Sequence, residues 1–193
     1  IAFVIYGNND NDASPELTSA ENAIYTRLYN DGYADKVTFI KPGRVKNSNF
    51  SNAAMIVATE YPTIDKNTVL NQLAAGRKIA LFSYSGSVIG GTWASTDNAE
   101  YRKLIIEASS EYLSDYTVST SFVIQSSSSA PYISGNYPVG WTTIGRNNGN
   151  AAYKTALTNF SGAGGRVTIF TYRPDYFGSS GWTLFDKIID WME

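Results

Sequence analysis

The sequence predicts an α/β domain built on an open, mostly parallel, doubly wound sheet with flanking helices, with antiparallel strands admitted near the C-terminal end. Three observations predict it. Short, nearly continuous apolar runs recur at Ala2–Tyr6, Ala53–Thr59, Lys78–Phe82 and Arg166–Tyr172, the signature of strands covered on both faces. Segments with helical spacing lie between them, so that the first half reads strand, helix, strand, strand, helix, strand. The run from Lys78 stops abruptly in Ser83-Tyr84-Ser85-Gly86-Ser87, the kind of strand-to-turn junction on which an α/β enzyme mounts a nucleophile.

Taken in order, the first strand ends at Gly7 and is followed by Asn8-Asn9-Asp10-Asn11-Asp12, a loop of turn formers. Ser14 before Pro15 reads as a helix start, with the serine as cap. Leu17, Ala20, Ile24 and Leu28 then recur at helical spacing, and Asp31-Gly32 ends the helix through a left-handed residue. Lys36–Ile40 alternates as a second strand, broken by Pro42-Gly43, and Pro62 closes the third strand. Asp65 caps a helix running through Leu70 and Leu73 to Gly76. After the Lys78 strand, Gly90-Gly91 opens a loop holding Trp93, and Asp97 is read as the cap of a four-turn helix carrying Tyr101, Leu104, Ile105, Ala108 and Tyr112. Val118–Ile124 and Trp141–Gly145 are strand candidates, and Tyr153–Thr158 fits strand or helix. Ser126–Ser129 reads as an exposed loop. Gly162–Gly165 makes a hairpin turn before the Arg166 strand, and Trp182, Phe185, Ile188, Ile189 and Met192 mark a last amphipathic helix.

The composition bounds the function mostly by exclusion. The 193 residues suffice for one domain with a substantial core. A net charge of −2 gives no electrostatic case for nucleic acid or an anionic membrane, and no apolar run reaches the roughly 20 residues that span a bilayer. The chain has no histidine and no cysteine, and its polar surface is drawn from Ser, Asn, Thr and Tyr rather than charged residues, which form 17% of the chain. This balance leans towards an extracellular or cell-surface, prokaryotic setting. A chain that opens inside a strand and stops on a helix reads as a single domain, 1–193, of a longer protein.

The first strand with its long loop, the G-R-K-I-A-L-F-S-Y-S-G segment and the C-terminal G-R-V-T-I-F-T-Y-R-P-D-Y-F…W-T-L-F-D-K-I-I-D-W together resemble the class I glutamine-amidotransferase-like superfamily, and its ThuA-like members in particular. The resemblance spans most of the chain and rests on arrangement as much as identity. It implies an elbow cysteine and a histidine–acid pair near the C-terminal end. The elbow position maps onto Ser85; the histidine has no counterpart. A serine hydroxyl needs a base to take its proton, so the departure removes the family's mechanism.

In an open parallel sheet a ligand binds outside the C-terminal ends of the strands, where strand order reverses. With a flavodoxin-like order the first and third strands flank that crevice. Reading off the strand ends gives Asn8, Asp10, Glu60 with Tyr61, Tyr84, Ser85, Arg173 and Asp175, a polar set with aromatic rims suited to a small polar molecule or a sugar. Asp10 and Asp12 are oxygen ligands that a Ca²⁺ ion would accept, although the glycine and distal glutamate of a calcium loop are absent. Asp10, Glu60 and Asp175 are the carboxylates available to a glycosidase pair, which needs them roughly 5–10 Å apart. Trp93 and Trp141 invite stacking on a sugar, Tyr132 and Tyr137 lie in a loop near Trp141 as a partner surface or a loop anchor, and Trp182 and Trp191 read as core. Gly162-Ala163-Gly164-Gly165 precedes a strand, so it lacks the helix N-terminus that binds phosphate.

The expected function is a non-catalytic binding or structural module of a secreted or cell-surface protein, contacting a glycan or another protein domain. The alternatives are a carboxylate-dependent glycoside hydrolase and a small-ligand sensor with its ligand at Tyr84 and Ser85. Oligomeric state is left open.

Overall fold

The computed structural model describes residues 1–6, 16–41, 50–60, 64–126, 129–135, 137, 139–160 and 164–193. Among them, eleven strands and three α-helices follow in the order β1 (Ala2–Val4), α1 (Ser19–Leu28), β2 (Thr38–Ile40), β3 (Met55–Ala58), α2 (Lys66–Ala74), β4 (Lys78–Phe82), β5 (Thr92–Thr96), β6 (Lys103–Ile106), β7 (Ser121–Val123), β8 (Ala130–Ser134), β9 (Thr142–Asn147), β10 (Asn150–Phe160), β11 (Arg166–Phe170) and α3 (Ser179–Met192).

The strands join in one sheet in the order β2-β1-β3-β4-β11-β10-β9-β6-β7, with β8 branching from β10 and β5 pairing with β8. The pairings β1–β2, β1–β3, β3–β4 and β4–β11 are parallel. The other six are antiparallel. The expectation of a mostly parallel, doubly wound sheet is therefore incorrect: the sheet is mixed, mostly antiparallel, and carries few helices. The four apolar runs from Ala2, Ala53, Lys78 and Arg166 do lie side by side. The stretch between them, from Thr92 to Phe160, folds as meandering strands instead of crossover helices.

One segment accounts for much of that error. The expected helix from Asp97 to Tyr112 is instead a 3-10 turn at Ala99–Arg102, then β6, then a second 3-10 turn at Glu111–Leu113. Leu104 and Ile106 are buried while Lys103 and Ile105 are half-buried, a period of two. The β-branched pair Ile105-Ile106 fits a pleated ribbon between β9 and β7 better than a helix face.

The helices divide between the faces. Phe3 and Ile5 point to the side covered by Ile24 and Leu28 of α1 and by Leu184, Phe185 and Ile188 of α3. Ala2, Val4, Ile56 and Ile79 point to the other side, packed with Val69 and Leu73 of α2 and with Ile133 of β8. Trp191 is core and Trp182 packs against the same cluster. Capping explains where two helices begin. Asp65 accepts from the Thr68 N–H at 2.9 Å, as its sequence position implies. The first helix starts later than Ser14, which lies outside the described residues: Thr18 is the cap, and Thr18-x-x-Glu21 forms a reciprocal capping box.

Candidate functional site

The parallel strands β1, β3, β4 and β11 all end on the same edge of the sheet. From β4 the chain enters a 3-10 turn, Ser83–Ile89, and then β5 folds back over it. Between these pieces opens a cleft of about 530 Å³, lined by Glu60, Tyr84, Ser87, Trp93, Ala94 and Ser95. Glu60 follows β3, Tyr84 and Ser87 belong to the turn, and β5 supplies the remainder.

The turn is strained at its first residue. Ser83 adopts φ +48°, a left-handed conformation that a non-glycine residue pays for sterically. The elbow geometry thus falls on Ser83, and Ser83 is buried. Ser85, the position to which the family nucleophile maps, is fully buried; its Oγ lies 2.7 Å from the Phe82 carbonyl oxygen and 2.9 Å from that of Ala58. Its backbone N–H donates to the Thr59 carbonyl at 3.1 Å. Ser85 therefore staples the β3 and β4 ends together and faces away from the cleft.

Gly86 sets the wall. A Cβ there would lie 2.4 Å from Ile169 Cγ2 and 2.7 Å from Trp93 Cη2, so the bare backbone of the turn is what lets the indole pack against it. The Trp93 Nε1–H donates to the Gly90 carbonyl at 3.0 Å, which fixes the ring plane. The Ser87 Oγ is buried and finds no hydrogen-bond partner among the described residues.

Behind Glu60 lies an arrangement that sequence reasoning missed. The Thr18 hydroxyl donates to Glu60 Oε1 at 2.9 Å. Glu21, fully buried, accepts from the Tyr6 N–H at 2.5 Å and the Thr18 N–H at 2.8 Å. Burial pushes the Glu21 carboxyl up from the ordinary glutamate range, and the Glu60 charge adds to that, while the bonds from Thr18 and Tyr6 oppose it. The signal was legible as T-x-x-E at Thr18–Glu21, but Ser14-Pro15 drew the helix start earlier. Trp93 was read as part of a loop; the alternating Thr92–Thr96 run after Gly90-Gly91 is what carries it into the crevice wall.

The other expected residues scatter. Arg173 and Asp175 pair with each other, Nη2 to Oδ2 at 2.8 Å. The Arg173 guanidinium also sits 4.8 Å from the Tyr176 ring centre, and neither residue is among the described ones lining the cleft. The turn they occupy packs on α1. Asn8, Asp10, Asp12 and Tyr61 lie outside the described residues, and with them the calcium reading. Trp141 and Tyr137 pack against the core on the α2 face, and the Tyr137 hydroxyl bonds Thr143 Oγ1 at 2.7 Å. Tyr132 stacks on Tyr153 at 4.2 Å. Of the carboxylates expected for a glycosidase pair, Asp10 lies outside the described residues, Glu60 lines the cleft, and Asp175 pairs with Arg173; Glu21 approaches Glu60 but is closed off from solvent and held by backbone N–H groups.

No protein-family model matches the sequence, and no curated protein is similar to it by sequence. Solved structures are similar in fold. A putative ThuA-like protein from Bacteroides uniformis superposes with a TM-score of 0.69 at 8% identity, over 99% of this chain and 90% of the other. The chain has a ThuA-like fold. The mmIFT52 N-terminal domain gives a TM-score of 0.60 at 9% identity, over 100% and 96% of the two chains. A cold-adapted β-galactosidase from Rahnella sp. R3 gives 0.60 at 11% identity, covering 99% of this chain and 31% of that one. Among the described residues no helix is long and apolar enough to cross a membrane.

Proposed function

We propose that this chain is a non-catalytic saccharide-binding module of a secreted or cell-surface protein. In this reading it is a single domain of a longer chain and a degenerate member of the class I glutamine-amidotransferase-like superfamily. The observation that carries the loss of catalysis is the state of Ser85: its hydroxyl is buried and directed at two backbone carbonyls, in a chain without imidazole or thiol. An inward serine hydroxyl held on carbonyl oxygens, with no imidazole to take its proton, is not placed to attack a carbonyl.

The binding side of the reading is supported by the cleft. An indole, a phenol, the Ser95 residue and one carboxylate line about 530 Å³, with the buried Ser87 hydroxyl behind them, a volume within the ordinary range for small-molecule sites. The indole edge and the phenol suit the apolar face of a sugar ring, and Ser95 and the carboxylate suit its hydroxyls. The likeness to a β-galactosidase chain is one of fold and brings no activity with it.

Calorimetric titration of the purified chain with a panel of mono- and oligosaccharides tests this. The expected result is binding that weakens about tenfold or more in Trp93→Ala, a loss of about 1.4 kcal/mol. The same preparation is expected to leave nitrophenyl esters and glycosides intact. Turnover abolished by Ser85→Ala would overturn the inert reading, and saccharide affinity unchanged in Trp93→Ala would overturn the cleft as its seat.

A further inference from the structure

We infer that β7 is a self-association edge: two copies of this chain pair there, strand to strand and antiparallel, about a two-fold axis at Phe122, as a weak dimer. This is independent of the saccharide reading, whose cleft sits at the ends of β3 and β4 and on β5.

β7 closes one end of the sheet, and among the described residues it pairs with β6 alone. The ladder fixes which of its backbone groups are spent. The Ile106 N–H donates to the Thr120 carbonyl, and the Ile124 N–H donates to that of Arg102, so Thr120, Phe122 and Ile124 face β6. Alternation then turns the N–H and C=O groups of Ser121 and Val123 away from the sheet. This free edge is bounded at both ends. Ser119 adopts φ +75° and breaks the extended run. Ile124 is fully buried, and its carbonyl accepts from the Gly178 N–H at 2.9 Å.

A sheet edge is commonly guarded by charge, proline or a bulge. β2, at the other end of the sheet, has Lys36 and Lys41 on its flanks. β7 has no such guard. No charged residue stands between Asp115 and Arg146, and Val118 and Val123 are 49% and 57% exposed. The charged neighbours are paired within the chain. Lys103, opposite Val123, holds Glu100 at 2.8 Å. Lys187, which lies over the Tyr116 ring, holds Asp115 at 2.9 Å. They form a neutral polar rim round an apolar centre, which is the make-up of a protein interface.

A second copy fits this edge by symmetry. Ser121 and Val123 flank Phe122, so in an antiparallel pair centred there each Ser121 meets the Val123 of the other copy, closing about four N–H···O=C bonds. A slip of one residue would bring the spent groups of Phe122 to the seam instead. The contact is isologous and closes as a dimer. An edge of three residues covers less than the roughly 1,200 Å² of a stable complex, so the dissociation constant is on the order of 10–100 µM.

Sedimentation velocity of the native chain over about 5–500 µM tests this, and the sedimentation coefficient is expected to rise from monomer towards dimer. Amide exchange followed by NMR over the same range reads the place. The outward Ser121 and Val123 amides are expected to slow about three- to sixfold, while those of Phe122 and Ile124 hold constant. Val123→Glu sets a charge on the edge, opposite Lys103. It is expected to weaken association about tenfold or more with the urea midpoint kept. Val123→Pro removes one outward N–H and leaves the β6 ladder intact, so it should act alike; if it fails to fold, the exchange pattern of the native chain and Val123→Glu decide. A native chain still monomeric at about 500 µM, a dimer that survives Val123→Glu, or slowed exchange confined to another edge such as β5 would overturn the inference.

Discussion

Replacing Gly86 by alanine puts a methyl group where the structure has no room for one. The added Cβ would approach Ile169 Cγ2 to 2.4 Å and Trp93 Cη2 to 2.7 Å, against the 3.4–4 Å of ordinary contact. Ile169 cannot yield: it is fully buried on β11, paired with Leu81 on one side and Leu157 on the other. Trp93 yields more readily, because among the described residues β5 pairs with β8 alone. The relief of the clash is therefore a displacement of the indole and of the cleft wall, accompanied by the cost of overpacking, about 1–3 kcal/mol. Urea denaturation reads the stability, and the indole fluorescence together with saccharide affinity reads the displacement. Gly86→Ala is expected to lower stability by about 2 kcal/mol and to weaken saccharide binding by about tenfold. In the double variant with Trp93→Ala the added destabilisation from Gly86→Ala should shrink by about half, since one of the two clashing partners is gone. A Gly86→Ala protein as stable as the native one, with unaltered indole emission, would show that the ring does not lie against the turn.

Three further outcomes follow from the same edge of the sheet and its neighbours. Glu21→Ala strands the Tyr6 and Thr18 N–H groups and is expected to cost about 1–3 kcal/mol at neutral pH by chemical denaturation. Because burial raises the Glu21 carboxyl, the folded state holds its proton more tightly than the unfolded chain. The Glu21 contribution is therefore largest below the ordinary glutamate value of about 4.3 and falls as pH rises through the folded one, a limb that Glu21→Ala should erase and whose persistence would refute the assignment. Asp65 behaves in the opposite sense. Bonds from the Thr68 N–H and hydroxyl hold its carboxyl below the ordinary range, so its support is present above about 3.9 and is lost as pH falls through the folded value. Asp65→Ala should cost about 1 kcal/mol at neutral pH and less as acid is added; a cost independent of pH would count against the cap. Ser83→Gly is expected to raise stability by about 1 kcal/mol by removing the left-handed strain, and a loss of stability would show that the Ser83 side chain holds the turn.

What the residues revealed beforehand was local. Short unbroken apolar runs bounded by turn formers, such as Ile79–Phe82, fit strands buried on both faces, and Asp65 and Gly76 punctuate α2 where their chemistry requires. What stayed hidden was partnership. Lys103–Ile106 carries apolar residues that satisfy a helical spacing over 101–112 as well as a two-residue alternation, and only the presence of β9 and β7 on either side decides between them. The same ambiguity at Tyr153–Thr158 resolves into β10, an 11-residue strand, because β9, β8 and β11 all need its edges. Two of the residues expected at the crevice, Glu60 and Tyr84, do line the cleft. Ser85 does not, because its hydroxyl finds carbonyl acceptors in the strand ends beneath it, and Arg173 and Asp175 do not, because two residues apart on a turn they neutralise each other. Trp93, which the sequence offers for stacking on a sugar, joins this cleft from the branch strand β5, and its place beside Glu60 and Tyr84 depends on the pairing of β5 with β8 rather than on a parallel strand end.

The most direct check of the account is a ¹H–¹⁵N correlation spectrum of the labelled chain as the saccharide bound most tightly in the calorimetric panel is added. The Trp93 indole N–H, fixed on the Gly90 carbonyl, is expected to shift together with the amides of Glu60, Tyr84, Ser87, Ala94 and Ser95. A spectrum that stays still at those positions, or shifts confined to another surface, would contradict a binding role for this cleft.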